Sequence, residues 1–403
     1  PETVHLNPLG ASRVGVAVTG RSGEGVVLAF LAFGNFIVGM GAFVIVGIIS
    51  PIADGLGIAK ADAGVVLTTY ALAYAVLSPI TGAITGTLPR RVVLVMALAI
   101  FCLGTVLSAL SASLFMLAAS RVLVALGGSM FTPIAAGIAV ALSTPERRGK
   151  ALATVFTGGT IAQVVGTPFG AWVSYHYGWA TTFWVVAVLA AAGAGVMFLA
   201  VPRDVRFQAA GLGTILAALG DRRTLFATAF TATMITALYM VFTFFGPVIE
   251  ASVGSDPEIR TGFLVLNGIG AVIGNLVGGV LADRIGPRRT LILICIAQIA
   301  IMPFFSIIPL TFLELAIVIA TWSAFSFAFM APQQARVAQF APQAVGIVLS
   351  INAAMIYIGI TVGSAVGSRI LGWYGIEALG IAGGLVAVLA LAHLIASGRP
   401  RRA

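Results

Sequence analysis

The sequence predicts an all-α polytopic membrane protein: twelve transmembrane helices in two parallel-repeat six-helix bundles. Composition, a series of twelve apolar runs and an internal repeat of constant offset carry this reading. Hydrophobic residues make up 60% of the 403 and charged residues 9%, with a mean hydropathy of +1.09. Globular domains run at roughly a quarter charged residues, so this chain has too little polar surface for a water-soluble particle. Disorder is excluded by the same numbers, because it requires low hydrophobicity. The 48 Gly and 17 Pro suit membrane helices, where both are commoner than in soluble ones.

A helix crossing the hydrocarbon core needs about 20 apolar residues. Such runs fall at 27–50, 62–84, 92–112, 114–142, 150–174, 178–200, 224–250, 260–281, 290–309, 312–335, 343–369 and 376–396. The first is too long for a cleaved signal, and no small-residue cleavage site follows it. The fifth is rich in Gly, and the eighth carries Gly270, Gly274 and Gly278, a double G-x-x-x-G face for close helix contact. Around these runs the chain divides into a tail at 1–25, a six-helix bundle at 26–201, a linker with basic ends at 202–223, a second bundle at 224–396 and a short tail at 397–403.

The 22 Lys and Arg sort sharply by loop. Lys60, Arg260 and Arg369 fall on one side and Arg121 falls inside a span; all the others lie on the side of the termini. By the positive-inside rule both termini are cytoplasmic, which predicts a multi-pass protein of the cell (inner) membrane. The net charge of +9 therefore reflects topology and calls for no nucleic-acid partner. Cys102 and Cys295 both lie in apolar runs, so neither a disulfide framework nor a metal cluster is expected, and no cofactor.

Pro145, Gly149, Gly166, Gly170, Tyr177 and Gly178 recur 197 residues later as Pro342, Gly346, Gly363, Gly367, Tyr374 and Gly375. Gly82 with Gly279 and Arg91 with Arg288 share that offset. The unit is close to half the chain and contains six spans. An even number of spans gives both copies one orientation, hence parallel repeats about an axis along the membrane normal.

Three motifs suggest chemistry. After the eighth run stands Gly279-Val-Leu-Ala-Asp283-Arg284-Ile-Gly286-Pro287-Arg288-Arg289: a tight turn at Gly286, with a carboxylate able to pair with Arg or a helix N-terminus when that side closes. Its first-half copy, Gly82-Ala-Ile-Thr-Gly86-Thr-Leu-Pro89-Arg90-Arg91, has Gly86 in place of the acid. The fifth run carries Gly158-Gly159-Thr-Ile-Ala-Gln163-Val-Val-Gly166-Thr167-Pro168-Phe169-Gly170, where Gly allows close contact and Pro168 removes a backbone hydrogen bond. Further fragments are Phe43-Val-Ile-Val-Gly47, Pro51-Ile-Ala-Asp54-Gly-Leu-Gly57 and Ser120-Arg121-Val-Leu-Val-Ala-Leu-Gly127-Gly128.

On these residues the chain resembles the major facilitator superfamily over nearly its whole length. It looks most like the twelve-helix drug/proton antiporter branch, with its arabinose-efflux and chloramphenicol-resistance type permeases. The resemblance implies alternating access, a cytoplasmic gate at Gly82, Arg91, Gly279, Asp283, Arg284, Gly286 and Arg288, an exporter-type packing helix, and protons as coupling ion. One departure matters: the branch places an acid just before Phe43, and here that residue is Ala42.

Arg121 is the one full charge well inside a span, about 7 residues or ~10 Å from its outer start. Its expected partner is Asp54, and the two are the proton-coupling candidates. Mid-span polar and aromatic residues supply the substrate-binding candidates: Asn35, Tyr70, Arg121, Gln163, Tyr239, Asn267, Trp322, Asn352 and Tyr357, with Gln298 beside them. Taken singly, each is more often an interhelical hydrogen bond or a belt aromatic. Gly158, Gly166, Pro168, Gly170, Gly363 and Gly367 are the helix-packing candidates.

The function expected is export of a small neutral or anionic organic solute (a drug, sugar or metabolite) by alternating access and proton antiport, by a monomeric carrier among membrane lipids. An uptake carrier for a sugar or nucleoside is the alternative; a membrane enzyme or receptor fits less well. His5, His176 and His393 have no partners placed for catalysis, and no phosphate-binding loop supports a primary pump.

Overall fold

The computed structural model of the chain describes residues 21–85, 88–144, 147–202, 221–340 and 345–398. Gly86, Pro145, Pro342, most of the linker and the outer parts of both tails lie outside the described residues. Among those described, every regular element is helical. Eleven helices are long and apolar enough to cross a membrane, and the fifth run supplies a twelfth in three consecutive pieces.

In chain order, α1 is Arg21–Leu56, α2 Val65–Ile84, α3 Arg90–Ala109 and α4 Leu114–Leu142. The short helix Lys60–Ala63 precedes α2. α5 comprises Arg148–Ile161, a π-helical turn Ala162–Gly166 and Thr167–Tyr177, and α6 is Trp179–Ala200. In the second half α7 comprises Arg222–Phe242 and Phe245–Val253, and α8 is Pro257–Ile285. α9 is Pro287–Ile301, continued by the 3-10 turn Met302–Ser306. α10 comprises Phe312–Phe327 and Met330–Phe340, α11 is Val345–Tyr374 and α12 is Ala378–Ala396.

The helix ends follow from local chemistry. Ser113, Asp221 and Asp256 cap α4, α7 and α8 by accepting first-turn N–H bonds, and Thr311 with Glu314 forms a capping box on α10. Gly178 and Gly375, 197 residues apart, both turn the chain at positive φ, 87° and 81°, so the repeat extends to backbone conformation. Gly286 also has φ 87°, whereas its counterpart Pro89 has φ −57°; the two loops turn differently. Helix α1 starts inside the stretch expected to be tail. Glu24, in its first turn, accepts 2.7 Å from Ser143 Oγ at the end of α4.

Within the fifth span the predicted Pro effect takes the form of a π turn. Pro168 has no N–H for the Val164 carbonyl, and its ring would crowd that carbonyl in a regular helix. The wider turn at Ala162–Gly166 relieves this, and Thr167 Oγ1 donates to the Ala162 carbonyl across it (3.3 Å).

One apolar cluster is built from residues between Val27 and Val201, centred on Leu31, Ile37, Leu98, Phe101, Phe131 and Ile138. The second combines second-half residues such as Phe230, Phe244, Phe305 and Leu379 with Val44–Ala53 of α1 and Val66–Ala71 of α2. The halves thus share a core along α1 and α2 toward the end away from the Arg-rich loops.

Candidate functional site

Two ends of the bundle can be told apart: the Arg-rich end, with Arg90, Arg147, Arg222 and Arg288, and the opposite end, with Lys60 and Gly254. The bonds crossing between the halves gather toward the opposite end. Glu250 of α7 accepts from Ser50 of α1 (2.7 Å), pairs with Lys60 before α2 (2.8 Å) and pairs with Arg260 of α8 (3.4 Å). Arg260 lies over the ring of Tyr175 (5.1 Å), whose hydroxyl donates to the Gly47 carbonyl. Glu258 of α8 contacts Trp172 Nε1 (3.3 Å) and His176 (3.5 Å) of α5. Nearer the middle, Thr68 and Ser364 share a 2.8 Å hydrogen bond between α2 and α11.

Below this seam lies a tyrosine cluster. Tyr74 of α2 stacks on Tyr357 of α11 at 3.7 Å and 17°, and Tyr70 sits 6.0 and 6.5 Å from those two rings. The Arg121 guanidinium lies over Tyr70 (4.9 Å). Arg121 is fully buried, donates through Nη2 to the Gly41 carbonyl of α1, and leaves Nε and Nη1 without a partner. The Tyr70 hydroxyl is likewise buried and unpartnered. No carboxylate among the described residues pairs with Arg121.

Asp54 is not brought to Arg121. It is exposed at the end of α1, 13 residues beyond Gly41, or about 20 Å along the axis at 1.5 Å per residue. Of the other binding candidates, Tyr70, Tyr357 and Arg121 come together. Asn35 and Asn352 instead tie helices within each half. Asn35 Nδ2 donates to the Val155 carbonyl (3.2 Å) and Asn35 Oδ1 accepts from Thr132 (2.8 Å), linking α1, α5 and α4. Asn352 accepts from Thr231, which in turn accepts from Gln333 Nε2 (2.9 Å), linking α11, α7 and α10. Val155 and Asn352 are 197 apart, so the two knots occupy equivalent places with different side chains.

Trp322 is buried in a box of Phe242, Phe245 and Phe305, its Nε1 unpartnered. Tyr239 packs edge-on against Phe242. Gln298 donates to Ser326 and to the Trp322 carbonyl. Gln163 lies half-buried in the π turn, and α8 meets that turn closely: a Cβ on Gly268 would stand 2.7 Å from Val164 Cα. Its neighbour Asn267 is buried with Oδ1 unpartnered.

The glycines of the fifth helix face α1. A Cβ on Gly158 would strike the Ala32 carbonyl, one on Gly166 would stand 2.7 Å from Met40 Cγ, and one on Gly170 would strike Val44. Their second-half counterparts face α7: Gly363 at 2.7 Å from the Thr236 carbonyl and Gly367 at 3.1 Å from that of Met240. Pro168 is buried at the start of the last piece of α5. Of the gate candidates, Asp283 and Arg284 are exposed in the last turn of α8 and in no ion pair among the described residues, Arg288 is half-buried at the start of α9, and Gly82 of α2 and Gly279 of α8 have open space beside them. Arg91 lies over Phe198 (4.2 Å) within its own half.

Sequence reading missed Tyr74 and most of the Glu250 cluster. Tyr74 had a signal, lying one turn after Tyr70 on the same helix face. Glu250 and Lys60 had none, being 190 residues apart.

Comparison with known proteins places this geometry. The family model described as Major Facilitator Superfamily matches residues 31–346 and 263–403. The chain is 30% identical to "Inner membrane transport protein YdhP" of Escherichia coli (strain K12), covering 92% of this chain and 96% of the relative. It is 26% identical to "Uncharacterized MFS-type transporter YbcL" of Bacillus subtilis (strain 168), covering 93% and 96%. Among solved structures, a bacterial homolog of the human lysosomal transporter Spinster, inward-facing and occupied, superimposes with TM-score 0.76 at 18% identity, covering 95% of this chain and 98% of the other. A mutant form of the nucleoside transporter NupG gives TM-score 0.76 at 14% identity, covering 93% and 100%.

Proposed function

The chain belongs to the Major Facilitator Superfamily, and from that premise we propose that it exports a small neutral or anionic organic solute by alternating access. The units 26–201 and 224–396 are the two bodies that rock, and both termini face the cytoplasm of a cell bounded by this inner membrane. The Arg-rich end is then the cytoplasmic one, and the seam at the opposite end is the closed outer gate. The observation that carries the cargo class is Arg121, a buried guanidinium with two unpartnered nitrogens and no paired carboxylate among the described residues. A cation in that low-dielectric centre would meet repulsion with no countercharge, whereas a carboxylate, carbonyl or hydroxyl would find donors.

Proton antiport needs a group that loads and unloads between states. With Ala42 in the usual acid position and Asp54 exposed far from Arg121, export here is driven chiefly by the solute gradient, with at most weak proton drive. Uptake of a sugar or nucleoside on the same scaffold is the competing reading; NupG, a nucleoside transporter by its title, shares the fold. The test is flux in proteoliposomes of known orientation, with solutes first found by thermal-shift screening. Counterflow of a neutral or anionic solute, little changed by an imposed pH gradient or by Asp54→Asn, is expected. Robust export of ethidium or a quaternary ammonium would overturn the cargo class, and strong proton drive would overturn the coupling.

A further inference from the structure

Away from the Tyr70–Arg121 centre, the second half holds another set of uncompensated guanidinium groups at its Arg-rich end. Arg336 of α10 is 1% exposed. Its Nη1 donates weakly to the Ala227 carbonyl (3.4 Å), its Nη2 donates to Ser397 Oγ, and it lies 5.7 and 5.2 Å from the rings of Phe230 and Phe340. All of these partners are neutral, and Arg336 Nε is buried with none. Arg288 opens α9, a helix that packs against the piece of α10 carrying Arg336, and its own Nε is also buried and unpartnered.

Among the described residues the surroundings add positive potential and no countercharge. Arg288 occupies the first turn of α9, where Gly286 provides no side-chain cap and Pro287 no N–H. His393, whose ring bonds Thr233 and the Phe226 carbonyl, packs edge-on against the same Phe230 ring that Arg336 lies over, and as an imidazole offers no negative charge. Of the carboxylates at this end of the second half, Asp221 is engaged by Thr224 and the Arg223 amide in capping α7. Asp283 is exposed and in no ion pair among the described residues. The repeat counterpart of Glu146 is Gln343, so the second half lacks that acid as well.

Two guanidinium groups on helices packed together, one of them wholly buried, are costly without an anion. We infer that Arg288 and Arg336, with the uncapped start of α9, form a binding site for a phosphate-type anion at the Arg-rich face of the second half. The chemistry fits a phosphodiester headgroup of an anionic lipid or free inorganic phosphate, since Arg presents donors suited to phosphate oxygens. Basic pockets between helices near a membrane face suit such headgroups. The site is separate from the transport centre, and the inference holds whichever solute is carried.

The experiment measures thermal unfolding of the full-length protein in phosphatidylcholine nanodiscs, in nanodiscs containing phosphatidylglycerol, and in phosphatidylcholine with added inorganic phosphate. Binding well above Kd raises Tm, here by at least about 3 °C. Stabilisation by phosphatidylglycerol alone assigns the site to lipid; equal stabilisation by inorganic phosphate assigns it to a soluble anion. Either shift should vanish in Arg288→Gln and persist in Arg222→Gln, which removes an exposed Arg at the same end. Arg336→Gln should behave like Arg288→Gln; if it fails to fold, the half-buried Arg288 carries the test. No stabilisation of the wild type by any of these anions, or an undiminished shift in Arg288→Gln, overturns the inference.

Discussion

Joining the opposite ends of the two halves by a disulfide should stop transport reversibly. Ala61 lies in the short helix before α2 and Gly372 near the end of α11. A Cβ on Gly372 would stand 3.7 Å from Ala61 Cβ, inside the roughly 3.5–4.5 Å range that a disulfide requires. No side chain obstructs the new Cβ, since Ala61 is the one neighbour within 4 Å, and Gly372 is exposed. With Cys102 and Cys295 replaced, Ala61→Cys/Gly372→Cys should oxidise readily to an intramolecular bond, seen as protection from thiol labelling. The bond keeps the two Cα atoms within about 7 Å, which forbids that end from opening. Turnover should therefore fall in direct proportion to the cross-linked fraction and return on reduction, with each single mutant fully active. Full transport by a completely cross-linked sample would refute the reasoning, as would failure to form the bond under oxidation.

Three further outcomes follow from the same geometry. Glu250→Gln removes the Lys60 pair and weakens the Ser50 bond across the halves while leaving α7 and α8 packed; losing about 1–2 kcal/mol of closed-state preference should raise labelling of outer-seam cysteines about five- to thirtyfold, and unchanged labelling would deny it a gating role. Gly166→Leu and Gly363→Leu should each abolish transport, because even a Cβ would stand 2.7 Å from Met40 Cγ or the Thr236 carbonyl; Gly159→Ala, where a Cβ meets nothing, should be silent, and active leucine variants would remove the packing role. Asp283→Asn should slow turnover with substrate affinity unchanged, since the carboxylate is exposed in the last turn of α8 and biases states without touching cargo; wild-type turnover would sink its gate assignment.

What the sequence made legible was whatever leaves a period or a spacing. Apolar runs marked the spans because lipid requires them, and the 197-residue offset marked equivalent positions down to the positive φ of Gly178 and Gly375. The glycine faces were legible for the same reason, recurring on α5 and α11 against α1 and α7. Partner choice was not. Arg121 was expected to seek a carboxylate, yet it bonds the Gly41 carbonyl, and a backbone acceptor leaves no trace in composition. Asn35 and Asn352 read as pocket residues because they are polar and mid-span. Their bonds to Thr132 and Thr231 are interhelical, the commoner fate of such side chains in membranes.

The central claim, that the two halves alternate between closure at one end and at the other, is tested most directly by paired spin-label distances on one background. Ala59→Cys/Ser255→Cys would report on the Lys60 end and Thr144→Cys/Arg222→Cys on the Arg-rich end, all four sites being exposed. The account predicts two populations whose distances move in opposite senses, with the short-distance population of the Ala59–Ser255 pair reduced by Glu250→Gln. A single unchanging distance at both ends, in the presence and absence of a transported solute, would contradict it.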